Sequence, residues 1–198
     1  MTHPMKKSIK FFAVKGNHRE IGQQIGEACK DEIHHSIESA RSLIDALSNE
    51  LVMDCQRAVL QAKKYLPFVA EYYPQYLEEL TGIAEGSNAS IDDIFSLNAF
   101  EGIVMDRLHL SKCTSLAVNQ SRTVNQSVLV AHNEDWFPED EADVYLVKVE
   151  VEDEPSFIAM SYGGLLPNIG FNASRIAQCC DTIYPKEKRI GIPRVVVG

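Results

Sequence analysis

The sequence predicts an α+β domain, and three observations predict it. Helical periodicity fills the first half of the chain, short β-branched segments fill the second, and the two textures do not alternate. A doubly wound α/β fold would interleave them, so helices first and strands second point to layers of helix packed on sheet. At 198 residues, 45% apolar and 24% charged, the chain can bury a sizeable core, and residues 1–198 read as one domain.

From His18 to about Leu47 the residues Ile21, Ile25, Ala28, Ile33, Ile37, Ala40, Ile44 and Leu47 recur mainly every three or four positions, which predicts an amphipathic helix. Gly22 and Gly26 lie on one of its faces and permit close approach of another backbone. A second helix is expected from about Glu50 to Leu66, before Pro67, and a third from Pro74 to Glu85, ended by Gly86. Ser90 followed by Asp93 resembles a capping box with Asp in place of Glu, opening a fourth helix to about Val104. Strands are expected at Cys113–Val118, Ser127–Ala131, Val144–Val151 and Phe157–Tyr162, with one more inside Asn172–Ile183. Thr182–Arg194 reads as loop, and the chain then stops in the apolar run Val195–Val197, which predicts an element continuing beyond it and a domain incomplete at its C-terminus.

The formal charge of −9 and the lack of a basic cluster argue against nucleic acid as a partner. Met1–Lys15 carries no apolar run of signal-peptide length, and no later stretch reaches membrane-spanning length, so a cytoplasmic protein without membrane association is expected. Cys29, Cys55, Cys113, Cys179 and Cys180 are odd in number and lack metal-ligand spacing, which fits reduced thiols; no metal and no cofactor is expected. The acidic run Glu139-Asp140-Glu141-Asp143 lacks the spaced ligands of a calcium loop and reads as a solvated turn. His34 and His35, adjacent on a helix, face different directions. Tyr72 and Tyr73 read as core or groove residues.

Cys113 carries the most chemistry. It stands where the helical half ends and a strand begins, the position of a nucleophile created by cutting the chain. If the Lys112–Cys113 peptide bond breaks, the new α-amine sits on the same residue as the thiol and can serve as its base, having a pKa of about 7.7. With a turn near Thr123 and Val124, antiparallel pairing matches residues whose numbers sum to about 247 or 248, placing Glu134 or Asp135 opposite Cys113 at a Cβ separation of about 5 Å. A one-residue slip exchanges the two, so spacing leaves the choice open. An acyl-transfer site also needs a donor for the developing oxyanion, for which Asn133, Asn168 and Asn172 are available.

The run Cys113-Thr114-Ser115, followed by Leu129-Val130-Ala131-His132-Asn133-Glu134-Asp135-Trp136, resembles the acyl-coenzyme A:6-aminopenicillanic acid acyltransferase family, the C45 peptidase family of N-terminal nucleophile hydrolases. Gly82-Ile83-Ala84-Glu85-Gly86 and Asn98-x-x-Glu101 are similar to its pro-segment, and Gly191-Ile192-Pro193-Arg194 to a recurrent motif. The resemblance implies a four-layer αββα fold with residues 1–112 as pro-segment and 113–198 as the start of the catalytic chain. It also implies self-cleavage between Lys112 and Cys113, and hydrolysis or transfer of the acyl group of a small acyl amide or acyl-CoA-like substrate through a thioester on Cys113. Position by position, the nucleophile falls on Cys113 and the carboxylate on Asp135, with Asn133 in support and Ser115, Trp136 and Asn172 at the substrate.

Three positions depart from the family pattern. Asp181 aligns with the oxyanion asparagine, and an ionised aspartate donates no hydrogen bond. Arg175 stands at the glycine of an Asn-x-x-Gly turn, and Lys112 replaces the glycine that precedes the nucleophile in the penicillin-processing enzyme. Two rival readings are a Cys113/His132 thiol hydrolase that never cleaves itself and a catalytically silent binding protein on the same fold.

Overall fold

The computed structural model describes residues 8–105, 113–181, 187 and 189–197. It is an α+β arrangement of helices packed on a five-stranded sheet, with a separate two-stranded ribbon. The first element among the described residues is β1 (Lys10–Gly16), a segment for which no element was expected, and β1 pairs in parallel with β4 (Tyr145–Val151) from Lys10↔Tyr145 to Gly16↔Val151. Antiparallel pairs then add β5 (Phe157–Ser161), β6 (Ile169–Asn172) and β7 (Ala177–Gln178), giving the order β1-β4-β5-β6-β7. Along β4, alternation puts Tyr145, Val147 and Val149 fully inside, against the helices.

The expected first helix is two. α1 (His18–Ala28) starts at an Asn17/Glu20 capping box, and α2 (Lys30–Ala46) follows a bend at Cys29, whose N–H still donates to Ile25 and whose carbonyl accepts from Ile33. The expected second helix is interrupted by Val52 in the left-handed region and restarts at the Asp54 cap. It becomes the short α3 (Ser48–Leu51), α4 (Cys55–Ala62) and α5 (Leu66–Tyr72). Pro67 opens α5 instead of ending its predecessor, because a first-turn proline forfeits no helical hydrogen bond. Tyr72 lies at the surface, 60% exposed, whereas Tyr73 stacks on Tyr76.

α6 (Pro74–Ser87) runs to Asn88 in the left-handed conformation. α7 (Ile91–Asn98) is capped by Ser90, which accepts from Asp92 N; Asp93 completes no box and pairs with Arg41 at 2.8 Å. A π-helical turn, Glu101–Met105, follows. The tightest contact in the helical layer is α1 against α6. A methyl placed on Gly22 would strike the Glu79 carbonyl, and one on Gly82 the Arg19 carbonyl, with Gly26 and Gly86 in the same relation one turn on. The close approach suspected from Gly22 and Gly26 therefore has a matching glycine pair on its partner. We expect Gly82→Ala to destabilise the fold: overpacking into backbone, at about 3 kcal/mol, outweighs the helix-propensity gain of about 1 kcal/mol, for a net loss of about 2 kcal/mol read as a lower urea midpoint.

β2 (Thr114–Val118) and β3 (Leu129–Asn133) form the antiparallel ribbon, joined through a 3₁₀ turn at Gln120–Arg122. Its register runs from Thr114↔Asn133 to Val118↔Leu129, so paired numbers sum to 114 + 133 = 247. Leu116, Leu129 and Val130 on it are exposed. Inside Asn172–Ile183, where one strand was expected, the described residues hold the end of β6 at Asn172, a turn and the two-residue β7, and residues 182 and 183 lie outside the described residues. Arg175 sits in that turn at φ 65°, which explains why glycine suits the position. A four-residue helix, α8 (Arg194–Val197), follows Pro193.

Candidate active site

The ribbon register brings the site together. Extending the 247 pairing by one residue sets Cys113 across from Glu134, and the Cys113 thiol lies 3.8 Å from Glu134 Oε2. The same oxygen is 2.6 Å from His132 Nε2, and the other ring nitrogen, Nδ1, is 3.0 Å from Ser115 Oγ. Alternation along the strands explains the grouping: Ser115 and His132 are direct cross-strand partners, and Cys113 and Glu134 lie two residues away on the same face. Although the ribbon is largely exposed, the side chains of His132 and Glu134 are only 7% and 12% exposed. Thiol, imidazole and carboxylate thus converge on one sheltered point, with the hydroxyl of Ser115 orienting the ring.

Asp135 lies on the alternate face of the ribbon end, where its carboxylate accepts from Asn133 Nδ2 at 2.6 Å. Both residues are exposed. Of the two carboxylates that spacing left open, the 3.8 Å contact to sulfur belongs to Glu134. Lys112 lies outside the described residues.

The chain leaves β3 through Trp136, whose ring stacks on Tyr162 with centroids 5.1 Å apart and whose Nε1 donates to Asp140 Oδ2 at 2.8 Å. Burial, joined by the charges of Glu134, Asp140 and Cys113, pushes the Tyr162 phenol up, so it remains a protonated donor beside the cluster. Glu134, Trp136 and Tyr162 share a small cleft with Asn168 and Arg194. Arg194 was singled out only as part of a motif. In the structure its guanidinium forks onto the Glu101 carboxylate, with Nε donating at 2.5 Å and Nη2 to the other oxygen. Burial works against the Arg194 charge, but Glu101 and then Cys180 outweigh it and hold the group firmly protonated. Its Nη1 is buried with no hydrogen-bond partner among the described residues.

Asn98 and Glu101, three positions apart, thus have separate structural roles. Asn98 donates to the Ile94 and Gly164 carbonyls and accepts from Leu166 N, tying α7 to the loop after β5, while Glu101 receives Arg194.

Other predicted residues lie elsewhere. Asn172 closes its own turn, accepting from Ile176 N at 3.0 Å, and lines a different cleft with His18, Tyr76, Glu79, Glu154 and Asn168. There His18 Nδ1 is 2.7 Å from Glu79; burial pushes the Glu79 carboxyl up, and the bond to Glu79 pushes His18 up in turn. Asp181 is exposed just beyond Cys180. The preceding Cys179 thiol lies 3.8 Å from the Ala131 carbonyl, which runs this segment beside β3. The acidic turn Pro138–Asp143 is not solvated throughout, since Asp140 and Asp143 are 7% and 3% exposed.

No protein-family model matches the chain. Among curated proteins it is 25% identical over 167 residues to the 40 kDa form of acyl-coenzyme A:6-aminopenicillanic-acid-acyltransferase from Emericella nidulans, a match covering 82% of this chain and 44% of that protein. It is 23% identical over 184 residues to a beta-alanyl-dopamine/carcinine hydrolase of Drosophila melanogaster, covering 83% and 45%. The chain is similar to both of these proteins at low identity over about four-fifths of its length. It spans less than half the length of the curated relatives it matches. One relative is named as an acyltransferase and the other as a hydrolase, and both are enzymes. Among the described residues no helix is long and apolar enough to cross a membrane.

Proposed function

We propose that this chain carries the nucleophile of an enzyme that hydrolyses or transfers the acyl group of a small amide, with Cys113 forming the thioester. The observation that carries the reading is the convergence of the Cys113 thiol and the His132 imidazole on Glu134, 3.8 Å and 2.6 Å away. Kinship to one acyltransferase and one hydrolase supports the reaction class, because both reactions pass an acyl group from an amide or activated ester to a second acceptor.

In this reading the enzyme first cuts itself. The Cys113 sulfur attacks the Lys112 carbonyl, the peptide C–N bond breaks, and the departing nitrogen takes up the thiol proton to become the new α-amine. Water then cleaves the thioester and restores the thiol. In turnover the amine accepts the thiol proton, sulfur bonds to the substrate carbonyl, and the leaving amine departs with that proton. Water or an acceptor amine finally takes the acyl group. Glu134 orients the amine and sulfur, Asp135 and Asn133 brace the ribbon end, and Tyr162 and Arg194 supply donors to the cleft. With an aspartate at position 181, these donors and backbone N–H groups are the better candidates to stabilise the oxyanion. Ser115 holds His132, and Trp136 forms the wall.

The proposal extends to architecture. Residues 1–112 form the pro-segment and 113–198 begin the catalytic chain of a single four-layer αββα domain, with the β2–β3 ribbon opening the second sheet. The exposed Leu116, Leu129 and Val130 support this, since apolar residues on a two-stranded ribbon need a further layer to cover them. The seven paired residues of β1 and β4 would hold the two pieces together after cleavage. Intact-mass measurement of freshly purified full-length protein is expected to give two co-eluting fragments, one starting at Cys113. A single species unchanged on incubation would refute self-processing.

That outcome would favour a second reading, in which Cys113 and His132 work as a thiol–imidazole couple in an uncut chain. The approach of both groups to one Glu134 oxygen is its specific support. His132→Ala would then abolish activity, whereas the self-cleaving enzyme retains most of it.

A further inference from the structure

The 3₁₀ turn Pro138–Asp143 folds two carboxylates inward against α2. Asp143 Oδ2 lies 2.7 Å from His35 Nδ1 and accepts from Ser36 Oγ at 3.0 Å. Asp140 accepts from Trp136 through Oδ2, while its Oδ1 is buried with no hydrogen-bond partner among the described residues. One ligand atom from each of His35, Asp140 and Asp143 lies within 4.8 Å of the others. Two buried carboxylates therefore face a single imidazole, and one carboxylate oxygen has been stripped of water without receiving a donor. Buried charge in this form is normally paired or bound to a metal.

We propose that His35, Asp140 and Asp143 form a binding site for a divalent transition-metal cation, foremost Zn²⁺. One imidazole nitrogen with two carboxylates is a donor set for such ions, and three protein ligands leave a fourth position for water. Ca²⁺ takes six to eight oxygens, more than this cluster offers. His35 is half exposed and borders a surface cleft with Glu38 and Glu139, which gives the ion a way in and lets the ring turn to close the spread. On binding, the ring is neutral, its extra proton goes to solvent, and the ion takes over the counter-charge for both carboxylates. Ser36, bonded to Asp143, fixes that ligand from outside. The ion would clamp α2 to the turn that holds Trp136, and Trp136 packs on Tyr162 beside the Cys113 cluster. The two centres share no ligand, so this site stands or falls independently of the role of Cys113.

The test is calorimetric titration of ZnCl₂ into the chelator-stripped full-length protein, with Co²⁺ absorption as a second readout of ligand geometry. One equivalent is expected to bind. His35→Ala, at a half-exposed position, and the isosteric Asp140→Asn should each weaken binding at least ~10-fold, and Cys113→Ser should bind as the wild type does. No binding to the wild type would overturn the proposal, as would binding unaffected by both substitutions. Loss only in Cys113→Ser would also overturn it, because the ion would then sit on Cys113, His132 and Glu134, a second cluster of donor atoms within 4.8 Å of one another.

Discussion

Cys113→Ala is expected to abolish acyl release from small acylated amides by the full-length protein, by at least ~10³-fold, and to leave the Lys112–Cys113 bond intact. The sulfur is the only protein atom in the proposed cycle that bonds to the acyl carbon, so no neighbour replaces it. Serine at the same position keeps a hydroxyl but not the polarizable sulfur nucleophile, so Cys113→Ser should retain traces of self-cleavage at most. Stability separates chemistry from folding. Cys113 is half-buried at the edge of an exposed ribbon and outside the main hydrophobic core, so the denaturation midpoint should stay near the wild-type value. Residual activity within tenfold of wild type would exclude Cys113 as the nucleophile.

The second large effect concerns the carboxylate. Glu134→Gln keeps the shape of the side chain but removes the charge that both the Cys113 thiol and His132 approach, and turnover should fall by roughly 10²–10⁴-fold. Asp135→Asn should cost less, because that side chain bonds Asn133 on the alternate face of the ribbon end. The reverse order, with Asp135→Asn the more damaging, would mean that the working enzyme pairs the ribbon one residue away from the register seen here, because such a slip exchanges the facing side chains. Steady-state kinetics of both variants on one substrate decide between them.

Features set by nearby sequence were legible in advance. The ribbon register was confined to two values because a hairpin is local, and the observed sum of 247 is one of them. Spacing stopped short of the carboxylate for the same reason: it could not resolve one residue. The Gly22/Gly26 face was visible from helical periodicity, as was the divergence of His34, which meets the Ser87 carbonyl, from His35, which meets Asp143. Long-range partners were not legible. β1 escaped notice because its pairing partner, β4, lies beyond α1 to α7 and the ribbon along the chain. The acidic turn looked solvated because His35, which receives it, is 108 positions upstream. Likewise Glu101 and Arg194 stood out within their own motifs, yet only folding brings the carboxylate to the guanidinium.

Chemical competition among the five thiols tests the central claim most directly. Burial pushes the Cys29 thiol up to about 12 and the Cys55 thiol up to about 11, the latter helped by Asp45, so neither is a useful thiolate at neutral pH. Full-length protein treated with a limiting amount of a thiol-directed acylating probe, digested and mapped by mass spectrometry, should carry the label on Cys113 ahead of Cys29, Cys55, Cys179 and Cys180. Label spread evenly over the surface thiols, or concentrated on any cysteine other than Cys113, would contradict the account.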